Sequence, residues 1–300
     1  MARKKSNLQI RAEFALAKGL ITALERLPLP VASRLASVLG RLLDLLVPKL
    51  RRTALRSLRF AFAGWGLAER HKVIDGVFES ISRMLLALAR FPKLHRANIS
   101  EWIRYEGLEH YLAAKQQGRG VLIATAHLGN WELSAFSHAL LTEPMNVMIR
   151  PLDNPLIDQL VQRRRALSGN HLISKREAAR SVLTALRQNE AVGILIDQNT
   201  TAGEGVFIDF FGKPACAGSA FVKLAHHTNA VVILGYALWN ESESKYVLRF
   251  HPPFRMAGDV TADTQQIHST IEQVIREHPS QWMWIHRRWK TRPPGEDPLY

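Results

Sequence analysis

Residues 121–133 read VLIATAHLGNWEL. The apolar run Val121–Ala126 stops at a histidine, His127, and a glycine, Gly129, and is followed by Asn130, Trp131 and an acid, Glu132. A short continuous apolar run bounded by turn residues is the pattern of a strand buried on both faces. Glycine permits a tight turn there, so the segment reads as strand, turn and helix start.

The same alternation continues along the chain. Apolar runs MNVMI (145–149), AVGILI (191–196), AVVILGYAL (230–238) and YVLRF (246–250) are separated by helical patterns around 130–141, 154–168, 176–188, 217–228 and 263–277. A further helix, EGLEHYLAAKQQGRG (106–120), ends at Gly118 and Gly120. Short β-rich runs separated by helices predict an α/β fold, with a mixed, largely parallel sheet covered by helices. In such sheets, sites gather beyond the carboxyl ends of the strands. His127, Arg150 and Asp197 stand at three of those ends.

Composition narrows the class. The single cysteine, Cys216, excludes an internal disulfide framework and, among small residues in KPACAGSA, reads as a buried bystander. Residues 1–60 hold thirteen Lys and Arg against three acids, so they carry ten of the chain's fourteen excess positive charges. From Leu8 to Val47 the basic residues are interleaved with Leu, Ala and Val at near-helical spacing, broken at Pro28 and Pro30. That pattern predicts amphipathic helices lying in a membrane interface with Lys and Arg at anionic headgroups. Helices packed on the rest of the protein give the same spelling. No apolar run reaches the roughly 18–20 residues that span a bilayer, and no nucleic-acid-reading signature is present. Residues 67–96 continue as helix, with Val73, Val77, Ile81, Leu85 and Leu88 on one face. The division expected is residues 1–100 as a basic, helical, membrane-associating region and 101–300 as the α/β catalytic domain.

Glu132 in the first turn of a helix can fold back toward His127. A carboxylate on one imidazole nitrogen fixes the tautomer and leaves the other nitrogen free to take a proton. That is a base and its orienter without a nucleophile, so the hydroxyl to be activated comes from a substrate. A glutamate in a first turn also complements the helix dipole, and spacing alone leaves both readings open. There is no G-x-S-x-G elbow, no phosphate loop, no H-E-x-x-H and no G-x-G-x-x-G after a strand. His226 and His227 are neighbours in a helical stretch and cannot face one ligand point, so no metal site is expected.

His127 to Glu132 resembles the H-x4-D/E motif of the lysophospholipid acyltransferase superfamily. HLGNWE is similar to its lipid A biosynthesis (late) acyltransferase branch, the lauroyl and myristoyl transferases. RPLDNPLID (150–158) with Arg163 and Arg165, GILIDQN (193–199), VFIDFFGKPACAG (206–218) and SQWMWIHRRWKTRP (280–293) resemble that branch in the same order. The resemblance implies a glycerolipid acyltransferase-like fold with His127 as general base and Glu132 as its partner. It implies no cofactor; the co-substrate is an acyl carrier protein or coenzyme A thioester, and the acceptor is a hydroxyl of an anionic membrane lipid, most of all a lipid A precursor. Asn130 or main-chain N–H groups at the helix start are expected to hold the oxyanion. Arg150 is expected on a lipid phosphate, and Asp197 on the acceptor or Arg150. Asn154 and Gln198 are expected at the substrate. Arg163 and Arg165 are expected on a second phosphate or on a solvated helix face.

The expected location is the cytoplasmic face of a bacterial inner membrane, peripheral or monotopic, with anionic lipid and acyl carrier protein as partners and no nucleic acid. The amino-terminal hundred residues show no motif of the branch, and the long apolar anchor of many members is missing. The QWMWIHRRWK run fits either a membrane–water interface or a buried aromatic layer. Another acceptor (a phosphatidylinositol mannoside, a lysophospholipid or an aminolipid) and a non-catalytic basic membrane-binding module are the alternatives.

Overall fold

Prolines divide the amino-terminal region. Pro28 stands at the N-cap of the second helix with Pro30 in its first turn, and Pro48 opens the third. Proline has no N–H for a preceding turn but fits a first turn, so each of these points ends one helix and starts another. The computed structural model describes residues 6–174 and 178–300. Four helices open it: α1 (Asn7–Arg26), α2 (Leu29–Leu46), α3 (Pro48–Ala61) and α4 (Leu67–Arg90). Ala32, Ala36 and Gly40, four residues apart, are the buried face of α2, which packs on α4. A Cβ on Gly40 would come within 2.0 Å of Ser82 Oγ, so the small stripe is what allows the close approach.

The rest of the chain alternates strands and helices. In order they are β1 (Ile103–Glu106), α5 (Leu108–Gln116), β2 (Val121–Thr125), α6 (Trp131–Leu141), β3 (Asn146–Ile149), α7 (Pro155–Ala166), β4 (His171–Ser174), α8 (Ala178–Arg187) and β5 (Ala191–Leu195). The antiparallel pair β6 (Gly205–Phe210) and β7 (Lys213–Gly218) follows, then α9 (Ala220–Thr228), β8 (Val231–Asn240), β9 (Lys245–Phe250) and α10 (Val260–Glu277). Seven strands form one sheet in the order β1-β9-β8-β2-β5-β3-β4, parallel except where β8 meets β9.

Helices cover both faces of this sheet. Leu122 and Ala124 of β2 point into one core with residues of α3, α4, α9 and α10, and Val121 and Ile123 point into the other with Tyr111 and Phe136. Each large aliphatic side chain so buried contributes about 1.5–3 kcal/mol. The α/β architecture is therefore as expected. Four strands, β1, β4, β6 and β7, were not expected. The first and second are four-residue edge strands, too short for a period to register, and the pair β6–β7 stands apart from the main sheet.

Register places the candidate site. β2 and β5 pair from Val121↔Ala191 to Thr125↔Leu195, so both end at one level. His127 and Asp197 each follow two residues beyond those ends. β3 pairs with β5 through Asn146↔Val192 and Val147↔Gly193, and continuing that register sets Arg150 level with Ile196.

Candidate active site

The turn after β2 is built around Gly129. Its φ is +60°, its N–H donates to Gln281 O at 2.7 Å, and a Cβ added there would lie 1.9 Å from Ala237 O. Only glycine meets both the left-handed backbone and the close approach. Gly129→Ala is expected to lower stability by more than ~1–2 kcal/mol and to depress activity with it. Thermal unfolding of the purified variant checks this, and an unchanged midpoint would contradict it.

His127 sits at that turn with a side chain 15% exposed. Its carbonyl accepts from Met283 N at 3.0 Å and its ring lies edge-on to Trp131 at 4.9 Å. The carboxylate on it belongs to Asp197. His127 Nδ1 lies 2.8 Å from Asp197 Oδ1, and the His127 N–H donates to Oδ2 at 2.9 Å. Trp282 Nε1 donates to the same Oδ2 at 2.7 Å. Asp197, 2% exposed, is thus bonded at both oxygens.

The electrostatics follow from these contacts. Burial works against an imidazolium at His127, but the charge and hydrogen bond of Asp197, joined by the field of Glu132, outweigh it and raise the pKa above the ordinary histidine value. Burial likewise opposes ionisation of Asp197, yet His127 and the Trp282 N–H hold it well below the usual carboxylate range. An ionised carboxylate only accepts, so Nδ1 carries the proton and Nε2 the lone pair. A histidine held in this way can remove a proton at Nε2.

Glu132, expected on His127, is elsewhere. Arg165 of α7 donates to it twice, Nε to Oε2 at 2.7 Å and Nη2 to Oε1 at 2.5 Å, a bidentate pair. From the first turn of α6 its carboxylate meets α7, and it acts on His127 through its charge alone. This corrects two expectations, that Glu132 orients His127 by a hydrogen bond and that Arg165 sits on a second phosphate or on a solvated helix face. Asp197, expected on the acceptor or Arg150, is the group that orients the ring.

Two asparagines are helix caps. Asn130 is fully buried and its Oδ1 accepts from Leu133 N at 2.9 Å, capping α6. Its N–H donates to Ala237 O, and the Gly129 N–H is also engaged, so neither of these main-chain amides is free to hold an oxyanion. Asn154 caps α7 through Leu156 N and Ile157 N, and its Nδ2 donates to Ile10 O and Glu13 Oε2 of α1. It joins two helices and is 4% exposed, which corrects its expected place at the substrate. Arg150 and Arg163 are exposed, and among the described residues no group bonds either guanidinium. Gln198 reaches the site, with Nε2 3.2 Å from His127 Nε2.

The carboxyl-terminal run is a buried layer. Trp282, Trp284 and Trp289 are at most 2% exposed, and Arg288 between them is fully buried, donating to Cys216 O at 2.7 Å. That replaces the membrane-interface reading of the tryptophans. His286, which the sequence reading passed over, accepts from Asn199 N at 3.1 Å, and burial pushes its pKa down to about 4. Among the described residues no group of three or more His, Cys, Asp or Glu is arranged to hold a metal ion.

Comparison with known proteins bears on this geometry. A profile described as bacterial lipid A biosynthesis acyltransferase matches residues 1–291, including the amino-terminal helices in which no motif was legible. Over 272 residues the chain is 27% identical to a lipid A biosynthesis acyltransferase of Haemophilus influenzae, covering 90% of this chain and 85% of the relative. It is 27% identical over 285 residues to the lipid A biosynthesis lauroyltransferase of Escherichia coli strain K12, covering 94% and 92%. It is 23% identical over 269 residues to the myristoyltransferase of the same strain, covering 89% and 82%. With its α/β sheet and nearly its whole length matched by one profile, the chain belongs to the bacterial lipid A biosynthesis acyltransferase family.

Proposed function

We propose that the protein transfers a fatty acyl chain from a thioester on acyl carrier protein or coenzyme A to a hydroxyl of a lipid A precursor, with His127 as the general base. The observation that carries this reading is the Asp197–His127 pair at the carboxyl end of the sheet, with Nδ1 engaged by the carboxylate and the Nε2 lone pair facing only the Gln198 amide among the described residues. The acceptor hydroxyl gives its proton to Nε2 as its oxygen attacks the thioester carbonyl. The tetrahedral intermediate then expels a thiolate, which takes the proton from the imidazolium. No covalent enzyme intermediate is needed, because the thiolate is a good leaving group and positioning does much of the work.

The surroundings bear on how the substrates bind. His127 borders a small, partly open cleft of about 10 Å³ lined by Val77, Ser80, Ile81 and Met84 of α4 with Trp131, Gln281 and Met283; it has room for about one water, and an alkyl chain enters only if these side chains move apart. Arg150, exposed and without a protein partner among the described residues, stands at the same edge and takes a lipid phosphate bidentately. Arg165 is a clamp on Glu132 in this reading, and Arg163 lies on the solvated face of α7.

The membrane side is α2. One face of α1 and α2 packs on α4 through Ile21, Leu24, Ala32 and Ala36, while Val38, Leu42, Leu45 and Leu46 remain exposed, the last two at 74% each. No helix among the described residues is long and apolar enough to cross a membrane. In this reading the enzyme works from the cytoplasmic face of the inner membrane with α2 in the interface. The triple variant Leu42→Asp, Leu45→Asp, Leu46→Asp is expected to lose at least about tenfold in affinity for anionic vesicles, each leucine contributing roughly 1.5–3 kcal/mol when buried. Sedimentation with vesicles reads this, and unchanged binding would refute it.

The function is tested by mass spectrometry of lipids after incubation with acyl carrier protein carrying several chain lengths. The acceptors are a lipid A precursor and a lysophospholipid, and His127→Ala runs in parallel. One added acyl group on the precursor, absent in the variant, is expected. Product on the lysophospholipid alone would overturn the acceptor, and product formed equally by the variant would overturn the base.

A further inference from the structure

The working nitrogen of His127 is covered. Gln198 Nε2 lies 3.2 Å from His127 Nε2. Because the Nδ1 proton is donated in a hydrogen bond to Asp197, the neutral ring's Nε2 can only accept, and the group facing it must be a donor. The Gln198 carboxamide is thereby fixed with its NH2 inward.

The residues on either side of Gln198 are pinned. Asp197 is held by His127 and Trp282. The Asn199 N–H donates to His286 Nε2, its Nδ2 donates to Thr291 Oγ1 at 3.0 Å, and its Oδ1 accepts from Thr291 N at 2.9 Å. The backbone at Gln198 therefore holds its place. Its side chain is half-buried and, among the described residues, makes the single bond to His127, so it can rotate away without breaking another.

We propose that Gln198 makes the enzyme select a lipid hydroxyl over water: its amide occupies the base until a bound acceptor displaces it. This rests on His127 being the base. An acceptor lipid brings the binding energy of the rest of its molecule to the displacement, and water brings none. Without the amide, a water on Nε2 gives its proton to the ring as its oxygen attacks the thioester carbonyl. The products are a free fatty acid and the thiol, the thiolate recovering the proton from the imidazolium. Gln198 is a positioning residue that acts through His127 and separates two outcomes of the same base.

The test measures two rates with acyl carrier protein as donor: free thiol released without acceptor, and lipid acylated with acceptor. Gln198→Ala is expected to raise acceptor-free hydrolysis roughly tenfold, the weight of one net hydrogen bond, while transfer, in which the bound acceptor already displaces the amide, changes by less. Gln198→Asn, whose amide stops one methylene short of the ring, is expected to move the ratio the same way with polarity kept. The double variant His127→Ala, Gln198→Ala is expected to lose the added hydrolysis. Hydrolysis that stays at the parent rate, that falls in step with transfer, or that persists in the double variant would overturn the proposal. Transfer retained in His127→Ala would instead sink the underlying assignment of the base, so the two failures are distinguishable.

Discussion

Replacing His127 with alanine lowers acyl transfer by about 10²–10⁴-fold, the contribution of a positioned general base, and leaves the fold in place. The ring is 15% exposed on its side chain and stands at a strand end, and neither hydrophobic core includes it. What it leaves behind is Asp197, still holding the Trp282 N–H and the backbone N–H of residue 127. The buried carboxylate keeps two donors, so the loss is concentrated in kcat. Steady-state transfer and a thermal unfolding curve read the two quantities separately. Full activity with an unchanged curve would remove His127 from the reaction.

Replacing Asp197 with asparagine has a comparable effect, about 10²–10⁴-fold, and adds a signature in pH. Asparagine can turn its NH2 toward Nδ1, which places the proton on Nε2 and removes the lone pair from the working side, the wrong-tautomer effect known for a buried Asp behind a catalytic His. The sign of the pH effect follows from the forces on the ring. The base works neutral, so kcat/KM falls as pH drops through the His127 pKa, which Asp197 holds above the ordinary value against burial. Without the Asp197 charge, burial prevails and the acid limb moves to lower pH. Glu132→Gln removes only a more distant charge and loosens the Arg165 pair, so its acid limb moves the same way by less. Profiles of kcat/KM for the three proteins, over about three pH units around the ordinary histidine value, decide between the carboxylates. A larger shift in Glu132→Gln than in Asp197→Asn would return the orienting role to Glu132.

That contest shows where reading along the chain succeeds and where it stops. The H-x4-E spacing draws attention to the nearest acid, and five residues is a short reach on paper. Helix direction decides otherwise: Glu132 enters α6 facing α7, where Arg165, three turns along that helix, meets it. Asp197 is seventy positions from His127 and comes beside it because β2 and β5 are parallel neighbours in register. The caps were within reach of the sequence. An asparagine followed by proline at a helix start, as in Asn154-Pro155, is an N-cap signature, and Asn130 precedes a helix in the same way.

The amino-terminal helices pack on the rest of the protein with one face and leave apolar side chains of another exposed. Small residues of α2 pack on α4 while Leu42, Leu45 and Leu46 stay in the open, because a helix has two sides and one period describes either. The tryptophan run differs: alternating aromatic and basic residues are equally compatible with a lipid interface and a buried layer. Burial of Trp282, Trp284, Trp289 and Arg288 settles it.

By itself the sequence determined what is local: the strand–turn–helix around His127, the glycine that the turn requires, the α/β alternation and the basic amino terminus. These follow from side-chain period and backbone sterics, which act within a few residues. Only the tertiary structure decided which carboxylate orients the imidazole, which arginine is already paired and which amide covers Nε2. Those choices depend on strand register and on the directions in which packed helices present their side chains, and both are set by burying the sheet as a whole.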